Sequence, residues 1–116
     1  MSKKKIDHVC PITAAIKILS GKRKMWILFL LLDGTKRFSE LKRKIPDITQ
    51  RMLTAHLREL EEDKIIVRKV YPVVPPKVEY SLSTLGKTLK TVLDDLQSWG
   101  ASYIENVKKS VNQKNL

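Results

Sequence analysis

The stretch Phe38-Ser39-Glu40-Leu41-Lys42-Arg43-Lys44-Ile45-Pro46-Asp47-Ile48-Thr49-Gln50-Arg51-Met52-Leu53-Thr54-Ala55-His56-Leu57-Arg58-Glu59-Leu60-Glu61-Glu62-Asp63 reads as two helices joined by a short turn. Ser39 is placed to cap the first, since a serine hydroxyl accepts from the unpaired amides of an opening turn. Pro46 cannot continue that helix and drives Ile45 out of helical angles, so the helix ends near Lys44. Asp47 or Thr49 then caps a second helix that begins about Gln50. Leu53, Leu57 and Leu60 recur at the spacing of a buried stripe, while Arg51, Thr54, Ala55 and Arg58 project from the other side. A helix, a tight turn and a second helix with short polar and basic groups near its start is the layout that enters a major groove. Two amphipathic helices of a bundle with a solvated basic face would read alike. The residues that follow separate the two readings.

Ile65-Ile66-Val67-Arg68-Lys69-Val70-Tyr71 is rich in β-branched residues and predicts a strand. Pro72-Val73-Val74-Pro75-Pro76 can neither pair as a strand nor wind as a helix, so it forms a stiff loop. In Lys77-Val78-Glu79-Tyr80-Ser81-Leu82 the apolar residues alternate, giving the return strand. A hairpin with a projecting loop directly after a helix-turn-helix makes a wing. It carries Arg68, Lys69 and Lys77 toward phosphates or a minor groove. The expected fold is mostly α with a small β-hairpin, a winged helix-turn-helix flanked by N- and C-terminal dimerisation helices.

The totals agree with one domain. The chain has 116 residues, 42% hydrophobic and 30% charged, a globular composition rather than a disordered one. Twenty-three basic against 12 acidic residues give a net charge of +11, which favours a polyanionic partner. An anionic membrane surface is the competing partner. Met25 to Leu32, the longest apolar block, is too short to span a bilayer. No apolar run of adequate length follows Met1-Ser2-Lys3-Lys4-Lys5, so no signal peptide is expected. The single cysteine excludes an intramolecular disulfide and fits a reducing cytoplasm.

Residues 1–9 read as a flexible basic arm, 10–107 as the winged domain with its dimerisation helices, and 108–116 as a polar, loose tail. Pro11 suits the first position of a helix carrying Ile12, Ala15, Ile16 and Leu19 as its apolar stripe. Cys10 stands at the positive end of that helix, where a thiolate is stabilised. It is either a reactive sensor or an inert structural thiol. Met25-Trp26-Ile27-Leu28-Phe29-Leu30-Leu31-Leu32 reads as a central helix covered by neighbours. Ser83 or Thr84 caps a last long helix in which Leu85, Leu89, Val92, Leu96, Trp99 and Tyr103 keep heptad-like spacing. Its partner is either the N-terminal helix of the same chain or a second subunit. The stripe is long for one small domain, which favours terminal helices packed between two subunits, with Ile12, Ile16, Leu89, Val92, Leu96, Trp99 and Tyr103 as the dimerisation residues.

Catalytic chemistry is not readable. Glycines are unclustered, and His8, Cys10 and His56 are too few for a closed metal site. His56 is expected to flank the core side of the second helix, and Glu59, Glu61, Glu62 and Asp63 to be solvated. No nucleophile, base and orienting group assemble. No cofactor and no metal are expected, and the chain does not read as an enzyme.

Cys10-Pro11, Gly21-Lys22, Asp33-Gly34, Arg37-Phe38-Ser39-Glu40-Leu41, Ile48-Thr49-Gln50, Leu53-Thr54, Leu57-Arg58-Glu59-Leu60-Glu61, Pro75-Pro76-Lys77-Val78-Glu79-Tyr80-Ser81-Leu82, Leu85-Gly86 and Trp99-Gly100 resemble the HxlR-type winged helix-turn-helix regulators of bacteria and archaea. The resemblance spans about residues 10 to 100. It implies a homodimeric, MarR-like transcription factor on a palindromic operator in double-stranded DNA, some relatives of which sense oxidants or electrophiles through a cysteine in the position of Cys10. It implies that Gln50, Arg51, Thr54 and Arg58 belong to the recognition helix, about Gln50 to Asp63, and that Pro72 to Lys77 form the wing. Ser39, Thr49, Arg68, Lys69 and Lys77 complete the expected DNA-binding set. Two departures stand out. Gly21-Lys22-Arg23 replaces the usual Gly-Lys-Trp, and Asp63-Lys64 replaces Asp-Gly. Lys64 is therefore expected in a left-handed conformation at some strain. A charge-driven coating or architectural protein is the alternative reading. Operator, target genes, sign of regulation and effector are not written in the chain.

Overall fold

Each break in helical sequence becomes a turn. The computed structural model describes residues 10–114, so the arm expected over residues 1–9 lies outside the described residues. The elements are α1 (Pro11–Leu19), α2 (Lys22–Leu32), β1 (Lys36–Arg37), α3 (Phe38–Lys44), α4 (Gln50–Glu62), β2 (Ile66–Tyr71), β3 (Lys77–Leu82), α5 (Thr84–Lys87) and α6 (Leu89–Lys114). Pro11 takes the first position of α1, as expected.

α3 departs from expectation at its start. It opens on Phe38, so Ser39 lies within the first turn and does not cap it; the Glu40 carboxylate instead reaches back to accept from the Arg37 amide at 3.0 Å. After Pro46, Asp47 takes φ 59°, a left-handed turn that a short polar side chain tolerates. Thr49 is the cap of α4, its Oγ1 accepting from the Met52 amide at 3.0 Å.

The exit of α4 is built as a crossed pair of hydrogen bonds. Ile65 donates to the Leu60 carbonyl at 2.9 Å and Lys64 to the Glu61 carbonyl at 3.0 Å. That pattern needs a left-handed residue between helix and strand, and Lys64 supplies it at φ 64°. With a Cβ there the conformation costs roughly 1–2 kcal/mol. Lys64 thus stands strained where a glycine would not.

β3 is the centre of the sheet rather than the edge of a hairpin, for the order is β1-β3-β2, antiparallel throughout. Lys36 lies opposite Tyr80, and Arg37 opposite Glu79. The core lies where α2, α3, α4 and the sheet converge: Ile27, Leu28, Leu31, Leu41, Leu53, Leu57, Leu60, Ile66, Tyr80 and Leu82 are all buried.

The last helix corrects the sequence reading twice. Ser83 does cap a helix, accepting from the Gly86 amide at 2.9 Å, but that helix is the short α5, and the long α6 begins afresh at Leu89. α6 then continues through Gly100 and Lys108 to Lys114, so the tail expected to be loose from Lys108 is helical to that residue. Leu93, which belongs to no stripe read from the sequence, is the α6 residue that enters the core, fully buried.

Candidate nucleic-acid interface

The stripe of Leu53, Leu57 and Leu60 pins α4 to the core, which fixes what the other side presents. Gln50, Arg51, Thr54, Ala55 and Arg58 together line a shallow groove there, with Gln50, Arg51 and Arg58 exposed and Thr54 half-buried. Thr49 stands exposed at the positive end of α4, and Ser39 is exposed in the first turn of α3. Short polar groups, an amide-bearing side chain and two guanidinium groups suit base edges and phosphates.

The wing divides its cations between two faces, because side chains alternate along a strand. Arg68 turns toward α4 and lines a second groove with Thr54, Leu57, Arg58, Glu61 and Tyr80. Lys69 lies on the opposite face with Tyr71, and pairing brings Lys77, Glu79 and Arg37 there too: Lys69 faces Glu79, Tyr71 faces Lys77, and Arg37 faces Glu79. The Lys69 and Lys77 ammonium groups lie 4.9 and 4.8 Å from the centroid of the Tyr71 ring. Lys77 Nζ is also 3.4 Å from Glu79 Oε2. The Tyr71 hydroxyl beside it, and then Lys77 and Arg37, hold the Glu79 carboxyl below the usual carboxylate range. The three cations grouped by sequence are thus not one cluster. Arg37, Tyr71 and Glu79 were missed as members, since a two-residue strand shows no alternation that would place Arg37 on a face.

Glu59 is exposed, as its reading among the solvated carboxylates expects, yet it also takes a buried partner that the sequence reading did not give it. Lys24 of α2 is 3% exposed, and its Nζ donates to Glu59 Oε2 at 3.3 Å. His56 Nδ1 is 3.7 Å from the other carboxylate oxygen, and half-buried His56 flanks the core as expected. This ion pair ties α2 to α4. A signal was present: Lys24, Ile27, Leu28 and Leu31 share one helical stripe, so the lysine had to enter the core side.

Away from α4, α1 and α6 leave large apolar side chains exposed. Ile12 is 70% and Trp99 67% exposed, with Ile16, Val92, Leu96 and Tyr103 exposed as well, whereas Leu89 rests partly against the core. Trp99 and Tyr103 stack with ring centroids 5.4 Å apart. Trp26 is not covered as a central-helix residue should be. With Met25, Phe29 and Leu96 it lines an apolar groove. Cys10 is exposed at the start of α1, where the backbone amides of Thr13 and then Ile12 lower the pKa of its thiol. No helix among the described residues is long and apolar enough to cross a membrane.

A core-anchored helix-turn-helix with a basic outer face and a three-stranded wing beside it defines a winged helix-turn-helix protein of the DNA-binding class. Known proteins place it further. The chain is 51% identical over 107 residues to the HTH-type transcriptional regulator YtcD of Bacillus subtilis (strain 168), covering 92% of this chain and 83% of that one. The solved structure of ytcD superposes with a TM-score of 0.80 at 52% identity, covering 84% of this chain and 99% of that one. The redox regulator HypR in its reduced form superposes with a TM-score of 0.81 at 44% identity, over 86% of this chain and 99% of that one. The HxlR-like helix-turn-helix family matches residues 18–108, and the chain belongs to that family.

Proposed function

We propose that this protein is a sequence-specific transcriptional regulator that acts in the cytoplasm as a homodimer on a palindromic operator. The observation that carries the reading is the exposed Gln50, Arg51 and Arg58, with half-buried Thr54 beside them, on a helix whose opposite face is fixed in the core. α4 enters the major groove, Gln50 pairing with adenine and Arg51 or Arg58 with guanine. Thr49, Ser39 and the wing cations Arg68, Lys69 and Lys77 set its position on the phosphates. The exposed stripe of α6, with Ile12 and Ile16, pairs two subunits so that two recognition helices reach successive half-sites.

Fluorescence anisotropy on DNA from upstream of the protein's own gene, against a scrambled duplex at near-physiological salt, tests the whole reading. Tight binding to the first alone, at two subunits per site, is expected. Equal binding to both with a steep salt dependence would instead mark a coating protein held by charge. Within the specific complex, Arg51→Ala or Arg58→Ala is expected to weaken operator binding by about 1–3 kcal/mol and relax preference at one position where the arginine reads a base. Where it grips a phosphate, its loss is expected to weaken all sequences alike. Unchanged binding of both duplexes would remove α4 from its role as reader.

A switch at Cys10 is supported by its exposed, acidified thiol and by the likeness to HypR, a redox regulator. Oxidation or alkylation of Cys10, at the start of α1, alters how two subunits pack and releases the operator. Diamide is expected to free DNA from the wild type and not from Cys10→Ser. Equal release from both would sink the switch.

A further inference from the structure

We propose that Tyr71 is a positioning residue of the DNA contact, holding Lys69 and Lys77 from opposite strands as a preformed cationic clamp on the outer face of the wing. The proposal rests on the DNA-binding reading above and assigns that face its own task, separate from Arg68 on the inner face. Three observations carry it. Both ammonium groups lie within 4.9 Å of one ring centroid, the arrangement in which a ring face attracts a cation. The ring sits at the mouth of the hairpin, where Tyr71 and Lys77 are the last paired residues before the loop. Glu79, 3.4 Å from Lys77 Nζ and opposite both Lys69 and Arg37, offsets the repulsion of like charges gathered so closely.

The benefit is one of order. A free lysine on a strand samples many rotamers and loses them when it grips a phosphate. Lysines already gathered on a ring lose less. Arg37, Lys69 and Lys77 outnumber Glu79, so the face keeps positive charge for a polyanion. The clamp gains affinity without adding charge, and that separates it from any simple phosphate contact.

Anisotropy on operator and scrambled duplexes across a salt series tests this with the full chain. Tyr71→Leu, which keeps every charge, is expected to weaken both duplexes alike by about 3–10-fold with the salt slope unchanged. Tyr71→Phe, which keeps the ring, is expected within about twofold of wild type. Lys69→Ala and Lys77→Ala are each expected to flatten the slope by about one. In the Lys69→Ala/Lys77→Ala background, Tyr71→Leu is expected to have no further effect on binding, since Tyr71 acts through those lysines. A ring that merely stabilised the hairpin would weaken binding equally in both backgrounds, which overturns the proposal, as does wild-type binding by Tyr71→Leu. If the wild type itself bound neither duplex, the parent reading would be the one to fall.

Discussion

Gly86→Ala is expected to be the most damaging single-methyl substitution in the protein, lowering stability by about 3 kcal/mol or more. A Cβ built at Gly86 would stand 2.1 Å from the Ile65 carbonyl oxygen and 3.1 Å from its carbon. Neither atom can yield cheaply. The Ile65 carbonyl accepts from the Ser83 amide at 2.9 Å, and the Ser83 hydroxyl donates to the Lys64 carbonyl at 2.7 Å with the Ile65 carbonyl 3.0 Å away. Relieving the clash means lifting α5 from the point where α4 hands the chain to β2. Urea and thermal melts check this, with a fall in Tm on the order of 10 °C expected for that loss of stability. Gly100→Ala is the matched control. Its Cβ meets nothing within 4 Å, and in a helix interior it is expected to gain up to about 1 kcal/mol. If Gly86→Ala melted with the wild type, the close approach at Ile65 would not exist in solution.

Trp99→Asp is expected to have the reverse profile, leaving the fold intact and removing function. Trp99 is 67% exposed on α6, while Leu93 faces the core from the same helix, so a charge at position 99 burdens the apolar face and not the interior. A subunit that cannot pair binds a half-site alone and forfeits the gain of linked binding, roughly 10²–10⁴ in affinity. Light scattering should report a monomer, anisotropy should report operator binding weakened by that factor, and the melt of the subunit's own core should survive. A dimer with wild-type affinity would mean that subunits pair elsewhere.

Pro46, the leucines of α4, the double proline of the wing and the alternation of β3 make the architecture readable from the chain alone, because each acts through local sterics or a strong period. What stayed hidden was settled by distant partners. β1 is too short for a pattern and exists because β3 offers it an edge. The break between α5 and α6 follows from Ser83 bonding back across the chain to Lys64 and Ile65, a contact no helical pattern announces. Leu93 was overlooked because the heptad-like stripe beside it is more regular. In the candidate site, α4 was readable face by face, since its core and outer residues separate cleanly on a wheel. The wing was legible only in part: alternation separates Arg68 from Lys69, but the register of pairing is what brings Lys77 and Arg37 to the side of Lys69.

The ion pair between Lys24 and Glu59 has a consequence for behaviour in changing ionic conditions. Mobile ions screen attractions between solvent-bathed groups, largely so beyond about 10 Å at 0.1 M salt, and screen partly buried groups less. Lys24 is enclosed while its partner Glu59 is exposed, so salt screens this pair in part, whereas Arg51 and Arg58 stand open to solvent. On the proposed reading, rising salt therefore weakens the hold of α4 on a duplex more than it weakens the hold of α2 on α4.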